Sequence, residues 1–190
     1  EKGGEDLAYA LYVMARSGLA MVGDLRYYVD EKLSNFATPL AQAQLGAALA
    51  MYGDKERAEQ AFQSAITLLK PDPDLKFVST RADFGSSLRD SAGTLALLVE
   101  AKVLPQSVDA VLKDVARRRA ASNYTSTQEN AWLLLAAKSL MDQNGDKALE
   151  VNGKIENGPI RRVLTANDLA SPLVIKNISA QSVSASVLVN

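Results

Sequence analysis

The feature that most restricts the fold is an alternation between two kinds of helical segment. The nearly all-apolar segments are 6–17, 40–52, 92–101 and 127–141, and the amphipathic segments between them are 24–36, 55–70 and 107–121. A helix that is apolar on every side must be buried, whereas an amphipathic helix can cover it with one face and meet water with the other. The alternation therefore predicts antiparallel helical hairpins packed side by side, with an inner layer shielded by an outer layer.

The fourth inner helix has the clearest start signal. Ser126 and Glu129 have the spacing of a capping box, in which each side chain accepts a hydrogen bond from the backbone amide of the other residue. Past this cap the segment Ala131–Met141 has almost no polar face. We therefore expect a helix that begins at this point and is buried nearly all round.

The other helix boundaries also have recognisable signals. Thr38 and Pro39 predict a cap followed by proline at the first helical position. Asp54 is expected to cap the segment 55–70, and the Ser87–Asp90 pair resembles a capping box with Asp in place of Glu. Gly18 and Gly53 follow the first two inner helices, where glycine commonly ends a helix.

Two architectures fit stacked hairpins, namely a solenoid and a closed ring. The inner helices start near Asp6, Pro39, Leu88 and Thr127, which is an irregular spacing, whereas a solenoid usually keeps its period. The spacing favours a ring, so the predicted fold class is mainly α, a partial α/α toroid of helical hairpins with a β tail.

A tetratricopeptide-like scaffold for protein binding is the nearest alternative. Leu45–Gly46, Ala58, Phe62 and Ala65 fit one unit of that repeat, but the next hairpin places Asp114 where the repeat has an aromatic residue. Because about three stacked repeats are needed for a stable solenoid, one matching unit ranks this interpretation second.

After Gly145 the hydrophobic period changes to two. Asn152–Gly153 and Asn157–Gly158 are hairpin signals, and further strands are predicted at 160–165, 173–178 and 183–189. Outside this tail, a short extended piece is predicted at 76–78, in the loop before the third inner helix. So few strands do not close a sandwich. We expect residues 1–144 to form a helical domain and 145–190 to form part of an antiparallel β-sandwich, completed by strands from elsewhere.

The composition excludes several kinds of chemistry. The chain contains neither Cys nor His, so disulfides, Cys/His zinc sites and Ser-His-Asp triads are impossible within it. A net charge of −1 disfavours binding to nucleic acid or anionic membranes. No apolar run is long enough to span a bilayer, and no signal peptide is evident. The start at Glu1, without Met, suggests an internal piece of a longer chain.

Four short signals have structural explanations that we prefer. Asp83–Phe84–Gly85 matches the metal-binding tripeptide of kinases but lacks the accompanying motifs, and Asp72 and Asp74 suit a solvated turn better than a cation site. Arg117–Arg119 suits the end of a helix better than a phosphate site. Gln128–Glu129 is explained by capping. We therefore assign no catalytic, cofactor-binding or metal-binding residue.

Three features in this order resemble bacterial alpha-2-macroglobulins: Ser-Leu-Arg-Asp-Ser-Ala at 87–92, Ser-Thr-Gln-Glu-Asn-Ala-Trp at 126–132, and the β tail. In that family an α/α ring, the thioester domain, is inserted into a CUB-like β-sandwich, and a Thr-Gln-Glu or Thr-Gln-Asp segment opens one of its last inner helices. The resemblance implies that 1–144 is the C-terminal part of the ring and 145–190 the second half of the CUB-like domain.

The resemblance also implies a function for the parent protein. Family members trap proteases after cleavage of a bait region, and some acylate the attacker through a Cys-Gln thioester. Because this chain has no Cys, its implied role is to support and shield a thioester located upstream, if the parent has one. The implied partners are proteases and neighbouring domains of the same chain. The implied location is the periplasm, where bacterial family members are often lipid-anchored to the inner membrane.

An enzyme built on an α/α toroid is a third possibility, because such rings also house terpene cyclases and glycosidases. Those enzymes need carboxylates clustered at the mouth of the ring. Here the candidates are Asp90, Glu100 and Glu129, which are expected near helix ends or caps. We therefore expect no enzymatic activity and no cofactor.

Overall fold

The chain is helical over most of its length and ends in a small β-sheet. The structure is a computed structural model that describes residues 3–69, 83–144, 148–157, 160, 162–165, 168 and 171–179. It divides into two compact units, Glu1–Ser139 and Leu140–Asn190. The prediction of a mainly α chain with a β tail is confirmed. The predicted extended piece at 76–78 and the predicted strand at 183–189 lie outside the described residues.

Seven α-helices occur in the described residues. They are α1 (Glu5–Arg16), α2 (Val22–Glu31), α3 (Pro39–Met51), α4 (Lys55–Leu68), α5 (Ser87–Ala101), α6 (Val108–Ala120) and α7 (Thr127–Asn144). Short 3₁₀ turns follow α2 at Leu33–Asn35 and precede α6 at Pro105–Ser107. The second helix, predicted to extend to residue 36, therefore ends at Glu31. The 3₁₀ turn Leu33–Asn35 follows it.

Local capping explains most of these boundaries. Thr38 Oγ1 accepts a hydrogen bond from the Ala41 amide at 3.2 Å, and Pro39 is the first residue of α3, as predicted. Gly18 and Gly53 follow the ends of α1 and α3 with φ of 70° and 77°, a left-handed conformation that glycine adopts without strain.

One of the predicted caps is wrong, and another differs in its hydrogen bonding. Asp54 is the N-cap residue of α4, as predicted, but its carboxylate accepts a hydrogen bond from Arg26 Nε at 2.6 Å rather than making a side-chain cap. The cap of α5 is Ser86 rather than Ser87, because Ser86 Oγ accepts a hydrogen bond from the Arg89 amide at 3.0 Å.

The predicted division into inner and outer helices is clearest in the centre of the first unit. In α3 every residue from Leu40 to Leu49 is buried, and in α5 every residue from Leu88 to Val99 is buried. Helix α3 packs against α1, α4 and α5, and α5 packs against α3 and α6. The outer helices bury one stripe each: Leu25 and Val29 in α2, Ala58, Ala61, Phe62 and Ala65 in α4, and Val111 and Val115 in α6.

The prediction that α7 is buried nearly all round is wrong for this chain. Leu134 is 71% exposed, Leu135 46% and Met141 51%, whereas Ala136 is buried. An apolar helix is buried only when neighbours cover each of its sides. Within the described residues, α7 is covered on the side that faces α5.

The second unit contains a three-stranded antiparallel sheet in the described residues. Its strands are β1 (Ala148–Val151), β2 (Lys154–Asn157) and β3 (Ile175–Asn177), in the order β2-β1-β3. Asn152 and Gly153 join β1 to β2 with φ of 47° and 81°, which is the two-residue hairpin turn that the Asn-Gly pair predicts. The predicted strand at 173–178 is confirmed over 175–177.

The predicted strand at 160–165 is wrong for the residues described there. Residues 160 and 162–165 are not in a strand. The backbone amide and the hydroxyl of Thr165 both donate hydrogen bonds to Asp168 Oδ2, at 2.8 and 2.7 Å. Such side-chain hydrogen bonds within a turn compete with strand pairing, and the period of two cannot reveal them.

Candidate functional site

Two sequence motifs come together where α5 and α7 begin. Ser86, at the start of α5, donates a hydrogen bond through Oγ to Glu129 Oε1 at 2.6 Å. Three residues further along α5, Arg89 Nη1 donates to Gln128 Oε1 at 2.9 Å. The Ser-Leu-Arg-Asp and Thr-Gln-Glu segments, far apart in the sequence, are thus in direct contact.

Arg89 is the centre of this arrangement. Its side chain is only 8% exposed. The guanidinium donates hydrogen bonds to the Asp83 carboxylate, to the Asp83 carbonyl at 3.2 Å and to Asp90 Oδ1 at 3.0 Å. A buried cation needs such partners because its separation from water is otherwise costly. Asp90, which the sequence placed near a helix cap, is instead a fully buried partner of Arg89.

Glu129 has two structural roles at once. Its Oε2 accepts a hydrogen bond from the Ser126 amide at 2.6 Å, and the Glu129 amide donates to Ser126 Oγ at 3.2 Å, so the predicted capping box is confirmed. Its other oxygen binds Ser86. Partial burial raises the pKa of Glu129, but the hydrogen bonds from Ser86 and Ser126 outweigh it and the net pKa is lowered. We call Asp83, Ser86, Arg89, Asp90, Gln128 and Glu129 the polar clamp.

The Asp83–Phe84–Gly85 tripeptide forms the turn that covers Arg89. The Gly85 amide donates to Asp83 Oδ1 at 3.1 Å, and a Cβ atom on Gly85 would lie 2.2 Å from Arg89 Nη2. Only glycine leaves room for the guanidinium at this distance. Phe84 points into solvent and is 87% exposed. The tripeptide therefore has a structural explanation and needs no metal.

Sequence reasoning assigned no role to Arg89, Asp83 or Ser86. Arg89 is separated from Gln128 by 39 residues, so local spacing could not pair them. One signal was available: an arginine within an otherwise apolar inner helix must have buried partners. That signal predicts a buried ion pair but does not name the partner.

The three arginines at the end of α6 also have hydrogen-bond partners within the helical unit. Arg117 and Arg118 bind the Asp114 carboxylate, Arg118 Nη2 donates to the Leu69 carbonyl at 2.7 Å, and Arg119 Nη1 donates to the Ser122 carbonyl at 3.0 Å. Asp114 also accepts a hydrogen bond from Ser91 Oγ of α5 at 2.7 Å. These contacts support the structural interpretation over a phosphate site.

The described residues offer little else for chemistry. They contain no group of three or more acidic residues placed to hold a metal ion, and Asp72 and Asp74 lie outside them. Among the helices of the described ranges, none is long and apolar enough to cross a bilayer. A cleft of about 290 Å³ is lined by Leu7, Tyr27, Tyr28, Lys32 and Phe36 among others, and one of about 230 Å³ by Ala47, Met51, Leu97 and Glu100 among others. Neither combines the two carboxylates that glycoside hydrolysis needs.

Comparison with known proteins identifies relatives of the chain. No protein-family model matches it. It is 31% identical to an Escherichia coli alpha-2-macroglobulin over 172 residues, which is 90% of this chain and 10% of that protein. A similar match, at 29% identity, is found to an alpha-2-macroglobulin of Xylella fastidiosa. The chain thus spans about a tenth of the length of the curated relatives it matches.

A solved structure locates the similarity within the larger protein. A crystal structure of native Escherichia coli alpha-2-macroglobulin that spans domain MG7 to the C-terminus aligns with 80% of this chain and 24% of the solved chain, with 32% identity and a TM-score of 0.61. Seven helices followed by a small antiparallel sheet therefore match part of that region in fold as well as in sequence. The chain is a homologue of part of the C-terminal region of bacterial alpha-2-macroglobulins.

Proposed function

We propose that the parent protein of this chain inhibits proteases by trapping them after they cleave a bait region, and that this segment is a scaffold that shields a thioester rather than the reactive site. The observation that carries the proposal is 31% identity to a bacterial alpha-2-macroglobulin across 90% of the chain. Because the chain spans about a tenth of that relative, the trapping activity belongs to the parent protein.

The scaffold role is supported by the chemistry of the segment. A thioester of this kind needs a cysteine, and the chain contains none, so the acyl donor would have to lie elsewhere in the parent. The acidic residues that an enzyme could use have structural partners here, since Asp90 binds Arg89 and Glu129 caps α7. We infer that the segment itself is not an enzyme.

Close packing in the core of the first unit supports the shielding role. Helices α3 and α5 are buried over most of their length, and a Cβ atom on Gly46 of α3 would lie 2.9 Å from the Phe62 ring of α4. Such close packing resists the fluctuations through which water would reach a buried thioester. We propose that the helical unit is the C-terminal part of an α/α ring, residues 1–144, and that 145–190 belong to a CUB-like β-sandwich.

The proposed partners are proteases, through the parent protein, and neighbouring domains of the same chain. The net charge of −1 gives no attraction to nucleic acid or to an anionic membrane. We propose that the parent is a periplasmic inner-membrane lipoprotein and that this segment makes no direct contact with the membrane.

The test of trapping uses the full-length parent protein. It is incubated with trypsin or elastase, and the products are separated under native and denaturing conditions. We expect the protease to remain bound to the parent and to lose activity towards protein substrates but not towards small peptides. If the parent is degraded without altered migration and the protease keeps full activity on protein substrates, the proposal is wrong.

A second measurement tests the shielding role separately. Phe62→Ala loosens the packing of α3 against α4, whereas Phe84→Ala changes an exposed ring. The parent is incubated with methylamine, without protease, and the rate of thiol release is measured. We expect faster release from Phe62→Ala than from wild type, and release at the wild-type rate from Phe84→Ala. Equal rates in all three proteins, or no thiol released by methylamine from the wild type, would contradict shielding but not trapping.

A further inference from the structure

Helix α7 is common to both compact units of the chain. It runs from Thr127 to Asn144, and the division between the units falls between Ser139 and Leu140. The helix is continuous through this point. Residues 127–139 of the helix therefore belong to the helical unit, and its last residues belong to the unit that contains the sheet.

The first two turns of α7 hold it against α5. Gln128 and Glu129 accept hydrogen bonds from Arg89 and Ser86, as described above. One turn later, the Trp132 ring lies against the α5 backbone, so that a Cβ atom on Gly93 would be 3.2 Å from Trp132 Cδ2. All these contacts are made by the first six residues of the helix.

The following turns of α7 bury little apolar side chain. Leu134 and Leu135 are largely exposed, and Ala136 supplies the buried side chain of this stretch. Helix α3, by contrast, is buried from Leu40 to Leu49 and is therefore held by the hydrophobic effect along most of its length. Attachment of α7 depends to a larger degree on the polar clamp.

Loss of the charge on a single residue, Glu129, is expected to weaken the polar clamp at two points. Glu129 serves both the capping box and the contact with Ser86, so one carboxylate stabilises the start of α7 and its attachment to α5. Hydrogen bonds to a charged group are stronger than neutral ones, and loss of the charge weakens both interactions together. Ser86 and Ser126 donate hydrogen bonds to Glu129, and the positive charge of Arg119 also favours the ionised carboxylate.

We propose that α7 is a detachable helix, held to α5 by the polar clamp, and that it can separate from α5 while α1 to α6 stay folded. This inference concerns the chain itself and does not rest on the protease-trapping proposal.

Hydrogen exchange of the whole 190-residue chain, followed by mass spectrometry, tests this directly. The variant is Glu129→Gln, which keeps the size of the side chain but removes its charge. We expect amides in 131–139 to exchange about ten-fold faster than in wild type, while amides of α3 and of α5 exchange at the wild-type rate.

Arg16→Gln is the matched control, because it removes an ion pair that also joins two inner helices. Arg16 Nη1 binds Glu100 Oε1 at 3.1 Å, but both side chains are about half exposed. Exposed pairs contribute little, so α7 should exchange at the wild-type rate in this control. Arg89→Met is the second clamp variant, and α7 should again exchange faster in it.

Three outcomes would overturn the proposal. The first is unchanged exchange of 131–139 in Glu129→Gln. The second is faster exchange of α3, α5 and α7 by the same factor in that variant, which would mean that α7 is not separable from the unit. The third is a wild-type α7 that already exchanges as fast as an unstructured peptide, which would mean that the clamp does not hold it.

Discussion

Trp132 of α7 packs against the backbone of α5 at Gly93, where an added Cβ atom would lie 3.2 Å from the indole Cδ2. The same Cβ atom would lie 2.5 Å from Leu40 Cδ1 of α3. Gly93 of α5 therefore lies against both α3 and α7, and its missing side chain leaves room for Leu40 and Trp132. In other positions of a helix, glycine is merely unfavourable compared with alanine.

This close approach predicts opposite effects for two glycine-to-alanine changes. Gly93→Ala should lower the free energy of unfolding by about 1–3 kcal/mol, because the methyl group overpacks the contact with Leu40 and Trp132. Gly23→Ala in α2 meets no atom within 4 Å and should raise it by about 0.5–1 kcal/mol. Urea unfolding followed by circular dichroism measures both, and a stabilising Gly93→Ala would show that the helices are not in contact there.

The contrast between two phenylalanines gives a second prediction. Phe62 is fully buried between α3 and α4, so Phe62→Ala should lower the free energy of unfolding by about 3–5 kcal/mol. Phe84 is exposed, and Phe84→Ala should change it by less than about 0.5 kcal/mol. The same urea titrations provide the measurement. Similar losses in the two variants would place Phe62 outside the core.

Asp114 should make stability depend on pH. Burial raises the pKa of Asp114, but hydrogen bonds from Arg118, Ser91 and Arg117 outweigh it, and the net pKa is lowered. A lowered pKa stabilises the folded state above the unfolded pKa of about 4, and this contribution is lost as the pH falls through the folded pKa. Asp114→Asn should therefore be destabilised by about 1–3 kcal/mol at pH 7 and by less at pH 3.

Urea unfolding of wild type and Asp114→Asn at pH 7, 5 and 3 checks this dependence. Asp109→Asn controls for the loss of one negative charge, since Asp109 is exposed in the first turn of the same helix. Its difference from wild type should be small at each pH. A gap between Asp114→Asn and wild type that stays constant from pH 7 to pH 3 would show that the ion pair does not stabilise the fold.

The turn between β1 and β2 gives a prediction for the second unit. Gly153 has φ of 81°, which costs a residue with a side chain about 1–2 kcal/mol. Gly153→Ala should weaken the pairing of Val151 with Lys154, seen as weaker cross-strand nuclear Overhauser effects. Asn152→Gly can keep the turn, but it loses the hydrogen bond from the Val174 amide to Asn152 Oδ1. It should therefore weaken β1–β3 pairing and leave β1–β2 intact.

Sequence reasoning succeeded where the determining interactions are local. The Thr38 cap, the Ser126–Glu129 capping box and the Asn152–Gly153 turn each involve residues within three positions of one another, so their spacing predicts them. The alternation of apolar and amphipathic segments likewise predicts the core helices α3 and α5, because burial is averaged over many residues.

It failed where distant residues decide the outcome, and also where a side-chain hydrogen bond within a turn replaces strand pairing. Arg89 reaches Gln128 across 39 residues, and no local pattern contains that contact. The exposure of Leu134 depends on which helices lie beside α7, not on the composition of α7 itself. Thr165 binds Asp168 in a turn that a period-two pattern of apolar residues hides. The polar clamp was therefore visible only after the helices were placed in space.

Helix α3 has a further consequence for how the chain reaches its native state. Every residue from Leu40 to Leu49 is buried in the folded chain. Helix α3 therefore has no polar face that water could solvate before α1, α4 and α5 pack against it. It should not persist as an early isolated helix in water. We expect a nascent chain that ends within α4 to expose the apolar surface of α3 and to be prone to aggregation until α5 has been synthesised.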